Sequence, residues 1–396
     1  MEFERSLVKT LVSALKKRLP VFQALIGPRQ VGKTTISRQV LKKLSYPSVY
    51  ASADSPLPPG PEWIETQWRL ADFEAQKTRK PVVLVLDEIQ KVRGWSESLK
   101  LLWDRMQQEG KDIRLLVLGS SALLLQEGLT ESLAGRFFLT RCPHWSFQEC
   151  SAAFGWDLTT WLYFGGYPGA AVFAQDEQQW KQYVTDSLIE TVLARDVLQM
   201  QKIAKPALLR HLFAFSASFP AQIFSYNKML GQLQDAGNTT TLAHYLKLLE
   251  SAFLVSGLEL FSKGQVRKRG SSPKLVLWNN ALINALSTRT FQEAVGDASW
   301  WGRLTENAVG AHFCNGLSAT SHTLTYWREG DKEVDFVVTR GPSIWAIEVK
   351  SGRSGKMPGM ERFRSKYNQA KSLVVGGTGI PLEKFFSESP EAWFQD

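Results

Sequence analysis

The sequence predicts an α/β protein with a parallel sheet in its first third and further structural units behind it. Between residues 21 and 141, short apolar runs alternate with helical patterns, an order typical of βα units whose sheet is covered on both faces. From residue 205 the pattern predicts three helices and a β-hairpin, and from residue 299 a helix, three strands, a helix and a last strand. A chain of 396 residues is also too long for one ordinary core, so it has room for several such units.

Apolar runs define the strands of the first unit: VFQALI from residue 21, PSVYAS from 47, VVLVLD from 82, IRLLVLG from 113 and FFLTR from 137. Between the second and third runs, SPLPPGP over 55–61 is predicted to be a loop because its prolines and glycine do not support regular structure. At the amino terminus, Leu7, Leu11 and Leu15 fall on one face of a predicted helix, which we interpret as a docking helix.

The predicted domain boundaries fall where these patterns change. They give a parallel-sheet core over 1–145, a helical lid or connector over 146–204, a helix and hairpin unit over 205–280, and a smaller α/β unit over 281–396. In the third unit, Asn238 and Thr239 are candidate N-caps of the last helix. Its order of helix, helix, helix and β-hairpin is that of a winged helix-turn-helix.

Composition restricts the classes of function. The formal charge of +9, from 47 basic and 38 acidic residues, favours a polyanionic partner such as DNA, with an ordinary basic surface as the alternative. The cysteines Cys142, Cys150 and Cys314 are too few and too widely spaced for a disulfide framework or a structural zinc site, so we expect a cytoplasmic protein. No apolar run approaches the length of about 20 residues needed to span a bilayer, and we expect no membrane insertion.

The run GPRQVGKTT follows a predicted strand and precedes a predicted helix. It fulfils the phosphate-binding pattern G-x-x-x-x-G-K-S/T, and its structural context is the one that the pattern requires. The glycines let backbone N–H groups surround phosphates at a helix N-terminus, the lysine reaches the β and γ phosphates, and the threonine hydroxyl ligates Mg²⁺. The cofactors expected are therefore ATP and Mg²⁺, with a chance match as the alternative. The residues predicted to bind ATP are Gly27, Pro28, Arg29, Gln30, Val31, Gly32, Lys33, Thr34 and Thr35.

A second nucleotide motif is predicted in VVLVLDEIQ, where a fully apolar strand delivers two acids at its carboxyl end. Asp87 is expected to hold the magnesium shell, and Glu88 to orient or deprotonate the attacking water. An acidic pair after a strand means little alone, because helix N-termini attract acids in any case. The two motifs reinforce each other.

Further polar residues follow the next strands. Ser120 or Ser121 is placed to hydrogen-bond the γ phosphate or the water, although serines after a strand also commonly cap a helix. Arg136 is interpreted as an arginine finger on the nucleotide of a neighbouring copy, which would require a homo-oligomer. A surface arginine is the alternative interpretation.

Together the runs GPRQVGKTT, LDEIQ, LGSS, ESLAGR, HWSFQE, FGGYPGA and LARDVL resemble the prokaryotic AAA-type ATPases that carry a carboxy-terminal domain of unknown function. The resemblance covers nearly the whole chain. It implies an AAA+ P-loop NTPase core with Asp87 and Glu88 as its second nucleotide motif, a sensor at Ser120 or Ser121, and a winged-helix region behind the core. HWSFQE departs from the more usual proline-leucine-serine-phenylalanine-arginine-glutamate run, which leaves the ATP site unchanged and puts the local packing of that segment in question.

A second candidate site lies near the carboxyl terminus. Asp335 on one predicted strand, followed by Glu348 and Lys350 on the next, resembles the PD-(D/E)XK nuclease pattern, and Glu306 on the preceding helix is placed as an additional acid. Strand alternation puts Glu348 and Lys350 on one face, as a metal ligand and a water-positioning lysine require. Hard carboxylate ligands would select Mg²⁺ or Mn²⁺ at Asp335 and Glu348. A half-exposed strand pair gives the same alternation, and such a fold also occurs as a binding module with an inactive site.

Basic residues cluster between the strands of the predicted hairpin. Lys263, Arg267, Lys268, Arg269 and Lys274 occur there with no acid among them, which suits contact with DNA phosphates. A second basic stretch runs over 350–371. A solvated face is the alternative, and a winged helix also serves as a protein-docking lid.

Two hypotheses follow. In the first, the chain is an ATP-driven enzyme that acts on or near DNA. In the second, it is a nucleotide-gated DNA- or protein-binding scaffold with a slow ATPase and an inactive nuclease-like domain.

Overall fold

The computed structural model describes residues 3–119, 132–197, 203–233, 237–262, 272–352 and 357–395. The chain forms two compact units, Met1–Pro143 and His144–Asp396. No helix within the described ranges is long and apolar enough to cross a membrane.

The first unit is built on a parallel sheet of the strands β1 (Phe22–Ile26), β2 (Ser48–Ser52), β3 (Val82–Asp87), β4 (Ile113–Gly119) and β5 (Phe137–Arg141). Their order across the sheet is β2-β3-β4-β1-β5. All residues of β1 and β3 are buried, because these inner strands are covered on both faces. The edge strand β2 instead alternates exposed and half-buried residues.

Four helices of the first unit are described. The amino-terminal helix buries Val8, Leu11 and Leu15 and contacts the helix that follows β1, whereas Leu7 is half-buried. Leu11 and Leu15 of the predicted face are thus buried, Val8 takes the place of Leu7, and the helix packs within its own unit. The helices are α1 (Ser6–Lys16), α2 (Lys33–Leu44), α3 (Glu62–Thr78) and α4 (Trp95–Gln108).

The second unit begins with short helices. The run HWSFQE supplies a capping box: Ser146 Oγ accepts a hydrogen bond from the Glu149 backbone N–H, and the Glu149 carboxylate accepts one from the Ser146 N–H. HWSFQE differs from the run that is usual in the resembling family, and it still caps the start of the helix Phe147–Phe154. The helices are α5 (Phe147–Phe154), α6 (Leu158–Phe164), α7 (Pro168–Ala171) and α8 (Glu177–Gln182), continued by π-helical turns over Tyr183–Ile189 and Val192–Val197.

Three helices and an antiparallel strand pair follow. Asn238 is the N-cap of the third helix, since its side chain accepts a hydrogen bond from the Thr241 N–H, and Thr239 is the first helical residue. The elements are α9 (Pro206–Ser218), α10 (Tyr226–Gln232), α11 (Thr239–Ser251), β6 (Val255–Leu258) and β7 (Lys274–Leu277).

The last part of the chain packs helices against a mixed sheet of the strands β8 (Thr323–Glu329), β9 (Lys332–Arg340), β10 (Ser343–Lys350) and β11 (Lys371–Gly376). Their order across the sheet is β11-β10-β9-β8. β10 and β11 are parallel, and the other pairs are antiparallel. The long helix of this part lies close to the sheet at Gly310, where a Cβ atom would approach the Phe336 ring to 2.9 Å. The helices are α12 (Ala281–Asn284), α13 (Phe291–Gly296), α14 (Ala298–Leu317), α15 (Pro358–Lys366) and α16 (Leu382–Ser387).

Candidate functional site

The loop over 27–32 joins β1 to α2 at the carboxyl edge of the parallel sheet. Gly27 passes so close to the end of β5 that a Cβ atom there would collide with the carbonyl oxygen of Cys142. Gly32 has a φ of 95° and Gln30 a φ of 60°, so the loop turns through the left-handed region twice before the helix begins. This conformation explains why both motif glycines are needed, one for close approach and one for its dihedral angle.

The Lys33 side chain is buried beneath this loop, with only 7% of the residue exposed. Its ammonium donates hydrogen bonds to the carbonyl oxygens of Gly27, at 2.8 Å, and Pro28, at 2.7 Å. Burial lowers the pKa of Lys33, while Cys142, Glu88 and Asp87 oppose that change. A phosphate ligand would stabilise the charged form of this lysine, because its negative charge would compensate for the solvation that the ammonium loses on burial.

The two nucleotide motifs meet at Asp87. Thr34 Oγ1 and the Tyr50 hydroxyl both donate to Asp87 Oδ2, at 2.9 and 2.6 Å. Burial and then Asp87 raise the pKa of Tyr50 to about 12, so its hydroxyl stays protonated as a donor. The sequence prediction missed Tyr50. Neither segment carries a signal for this contact, because it depends on the parallel pairing of β2 with β3, in which Ser52 is the partner of Asp87.

Glu88 adopts a left-handed conformation, with φ 54° and ψ 35°, which is uncommon for a residue other than glycine, asparagine or aspartate. Its carboxylate accepts a hydrogen bond of 2.7 Å from Gln90 Nε2. Burial raises the pKa of Glu88, and Lys33 and Arg29 oppose the rise. A carboxyl group with a raised pKa suits the predicted role as a base for water.

Arg5 is a second residue that the sequence prediction did not single out. It is 4% exposed, and its guanidinium donates to the carbonyl oxygens of Val31, at 3.3 Å, and Pro143, at 3.0 Å. The same nitrogen lies 3.2 Å from Cys142 Sγ. Arg5 therefore ties the segment before α1 to both the phosphate-binding loop and the end of β5.

In the second unit, the predicted acids come together at the ends of β9 and β10. The register pairs Phe336 with Ile347, which places Asp335 beside Glu348. Asp335 Oδ2 accepts the Val349 N–H at 2.8 Å, and Lys350 Nζ donates to Glu348 Oε1 at 2.6 Å. The other oxygen, Glu348 Oε2, is buried and has no hydrogen-bond partner among the described residues. Burial and then Asp335 raise the pKa of Glu348.

The interpretation of Lys274 as part of an exposed basic loop is wrong. The side chain is fully buried, and its ammonium lies 2.6 Å from Glu306 Oε1, 3.1 Å from Glu333 Oε1 and 3.8 Å from Asp335 Oδ1. Lys274 therefore connects Glu306 to Asp335, and Glu333, which the predicted site did not include, joins them. Lys263, Arg267, Lys268 and Arg269 lie outside the described residues.

Residues 21–151 match the family model described as an AAA domain. This segment is an AAA-type ATP-binding domain. Residues 155–293 and 301–384 match two models of domains of unknown function, DUF8612 and DUF4143. Proteins described as uncharacterized, from Mycobacterium tuberculosis and Mycobacterium bovis, are each 28% identical over 341 residues, which cover 84% of this chain and 70% of the relatives.

Solved structures similar to the chain include a Walker-type ATPase of Pyrococcus abyssi, which is 14% identical with a TM-score of 0.47 and covers 72% of this chain and 96% of its own. The ORC1 protein of Aeropyrum pernix in complex with DNA is 15% identical with a TM-score of 0.30, over 73% of this chain and 92% of that one. The Holliday junction branch migration motor RuvB of Thermotoga maritima is 14% identical with a TM-score of 0.34, over 67% and 92%.

Arg136 lies away from the phosphate-binding loop of its own AAA domain. Its backbone carbonyl accepts the Phe22 N–H at the start of β1, whereas Gly27 follows the end of that strand. Its guanidinium forms a two-pronged ion pair with Asp104 of α4, at 2.7 and 2.8 Å. An arginine-finger role would therefore require a second copy of the chain and release of Asp104. Ser120 and Ser121, the candidate sensors, lie outside the described residues.

Proposed function

We propose that the AAA-type domain hydrolyses ATP with Mg²⁺. The observation that carries this proposal is the convergence of Thr34, Asp87 and Lys33 at one edge of the sheet. When bound, Mg²⁺ would neutralise developing charge on the β and γ phosphates, and the Thr34 hydroxyl and Asp87 are the residues that would hold it. The hydrogen bond between these two groups already aligns them.

In this proposal the residues around the phosphates have separate roles. Backbone N–H groups over 27–35 surround the phosphates, and Lys33 leaves the carbonyl oxygens of Gly27 and Pro28 to pair with the β and γ phosphates. Glu88 orients the attacking water and accepts its proton, held by Gln90. Ser120 or Ser121 would sense the γ phosphate, and Arg136 would act on the nucleotide of a neighbouring copy.

The experiment that tests the ATPase is release of phosphate from ATP by the full chain, with Mg²⁺ and with a chelator, beside the variant Asp87→Asn. Turnover that requires both Mg²⁺ and Asp87 is the expected result. Tight ATP binding with no turnover in the parent would overturn the hydrolase and favour the nucleotide-gated scaffold.

For the middle of the chain we propose a winged helix-turn-helix that binds DNA phosphates. The order α9, α10, α11, β6 and β7 supports it, as does the antiparallel pairing of the two strands. Lys263, Arg267, Lys268 and Arg269 would supply the phosphate contacts, and the formal charge of +9 agrees with such a partner. Lys274 is excluded from this role because it is buried.

For the carboxyl-terminal domain we propose a PD-(D/E)XK-like fold that binds one divalent cation through Asp335 and Glu348. The residues fit such a cation, because the buried Glu348 Oε2 has no hydrogen-bond partner among the described residues and buried carboxylates require one. Lys350, held at Glu348 Oε1, would position the nucleophile, and Glu306 lies on the neighbouring helix. Incubation of linear and circular DNA with Mg²⁺ or Mn²⁺ separates a nuclease from a binding module. Nicking by the parent but not by Glu348→Gln would support cleavage.

A further inference from the structure

A lysine ammonium lies inside a group of three carboxylates in the second unit. Glu306 comes from α14, while Glu333 and Asp335 come from one face of β9, and one carboxylate oxygen of each lies within 4.8 Å of the others. Such spacing suits a metal ion, because buried carboxylates repel one another unless a cation lies between them. Here the Lys274 side chain enters from β7 and supplies that cation.

The contacts use the full donor capacity of the ammonium. Lys274 Nζ lies 2.6 Å from Glu306 Oε1, and it donates to Glu333 Oε1 and to the backbone carbonyl of Asp335, both at 3.1 Å. An ammonium has three N–H groups, so this set leaves none unsatisfied. The same nitrogen lies 4.9 Å from the centre of the Phe336 ring, which adds a favourable contact for a cation.

We propose that Lys274 is the resident cation of the group Glu306, Glu333 and Asp335, and that this group takes no divalent ion in the parent protein. The inference rests on these contacts and not on ATP hydrolysis. It deepens the carboxyl-terminal site proposed above, with which it shares Asp335. At Asp335 the Oδ1 atom faces Lys274 and the Oδ2 atom accepts the Val349 N–H, and the strand register places Glu348 beside the same residue.

Two different parts of the chain form this group of side chains. The lysine belongs to the strand that ends the hairpin, and the acids belong to the last α/β part of the chain. The hairpin therefore completes the carboxylate group, and removing the positive charge should open a second metal site. A methionine at position 274 retains the length of the side chain without the charge, which makes Lys274→Met the matched probe.

The experiment is calorimetric titration of the nucleotide-free full chain with Mn²⁺. Relative to the parent, Lys274→Met should bind one additional Mn²⁺, and that gain should disappear in the double variant Lys274→Met with Glu333→Gln. The nucleotide site contributes equally to every variant. Mn²⁺ should also raise the Tm of Lys274→Met more than that of the parent, since the ion would replace the missing charge. A folded Lys274→Met variant without the extra ion would overturn the proposal.

If Lys274→Met does not fold, Mn²⁺ binding by the parent and by Glu333→Gln provides a second test. In the parent background, Glu333→Gln should leave Mn²⁺ binding unchanged, because Lys274 occupies the group. Loss of an Mn²⁺ ion in Glu333→Gln would show that metal displaces the lysine, and would contradict the inference. Loss of Mn²⁺ binding in Glu348→Gln instead reports the separate site proposed at Asp335 and Glu348, so the two proposals fail independently.

Discussion

At the scale of single residues, Lys33 and Glu88 are predicted to have separable roles in ATP hydrolysis. Lys33→Ala should weaken ATP binding and lower kcat/KM by about 100-fold or more, because one preorganised charge contact to the phosphates is lost. Glu88→Gln should retain ATP binding and lower kcat by about 100-fold, the usual loss for a general base. Equilibrium binding of a fluorescent ATP analogue and steady-state phosphate release measure the two effects.

The control for these variants is Lys42→Ala, which removes an exposed lysine from the same helix as Lys33. It should behave like the parent in both assays. Equal loss of binding in Lys33→Ala and Glu88→Gln would contradict the division of roles. If Lys33→Ala bound and hydrolysed ATP like the parent, the nucleotide site itself would be wrong.

Tyr50 is predicted to position the magnesium-binding carboxylate. Tyr50→Phe removes the hydroxyl that donates to Asp87 Oδ2 at 2.6 Å and leaves the Thr34 hydrogen bond in place. A hydrogen bond to a charged group contributes about 1.5–3 kcal/mol, and the partial exposure of Tyr50 favours the lower end of that range. The Mg²⁺ concentration for half-maximal activity should therefore rise roughly 10-fold. Saturating Mg²⁺ should restore kcat, which distinguishes a positioning role from a catalytic one. Tyr46→Phe is the control, and an unchanged Mg²⁺ dependence in Tyr50→Phe would exclude the role.

The pKa of Glu88 predicts the acid limb of the pH profile. Burial raises this pKa above the ordinary 4.5, and the carboxylate form is the one that accepts a proton from water. Activity should therefore be present above the raised pKa and be lost as pH falls through it, at a higher pH than an exposed glutamate would give. Plots of log kcat against pH for the parent and Glu88→Gln test this, since the variant should lack the limb. An acid limb below pH 4.5 in the parent would contradict the assignment.

At the scale of elements, the sequence predicted the positions of strands better than it predicted the contacts between them. The apolar runs match all five strands of the parallel sheet. For the inner strands β1, β3 and β4 the reason is that they are covered on both faces and need nearly continuous apolar sequence. Tyr50 was missed because its partner Asp87 lies on another strand, and strand order is not written in either segment. Lys274 was misinterpreted for the same reason: it was grouped with the basic residues that precede it in sequence, whereas its neighbours in space are acids.

The basic loop between β6 and β7 is predicted to contribute non-specific affinity for DNA. Replacing Arg267, Lys268 and Arg269 with alanine should weaken binding to all sequences alike. The slope of log affinity against log salt should flatten by about 0.9 per lost contact on double-stranded DNA, because fewer counterions are released. Fluorescence anisotropy at several salt concentrations gives that slope.

The matched control for the loop removes the same charge from a different place. Lys9, Lys42 and Lys80 are exposed lysines of the first unit, and their triple alanine variant has the same net charge as the loop variant. It should leave the slope nearly unchanged. If both triple variants shift the slope equally, overall charge and not the loop governs the affinity, and an unchanged slope in the loop variant would favour protein docking.

At the scale of the whole molecule, the described contacts join segments that the sequence predicted as separate domains. Asn280 Nδ2 donates to the carbonyl oxygens of Leu162 and Leu304, at 2.8 and 3.0 Å, so residues from three predicted domains share one buried polar contact. Such contacts depend on the folded chain and leave no local pattern. The predicted boundaries at 145, 204 and 280 remain predictions, while the compact units divide after Pro143.

The last prediction concerns the chain as a whole: DNA should stimulate its ATPase. An ATP-driven enzyme acting on DNA gains by hydrolysing slowly until the partner is bound, so the rate with single- or double-stranded DNA should exceed the basal rate several-fold. The loop variant of Arg267, Lys268 and Arg269 should keep the basal rate and require more DNA for the same stimulation. The Lys9, Lys42 and Lys80 variant should respond like the parent. Basal turnover that no DNA changes would exclude ATP-driven action on DNA, and would leave the scaffold whose nucleotide state controls a different partner.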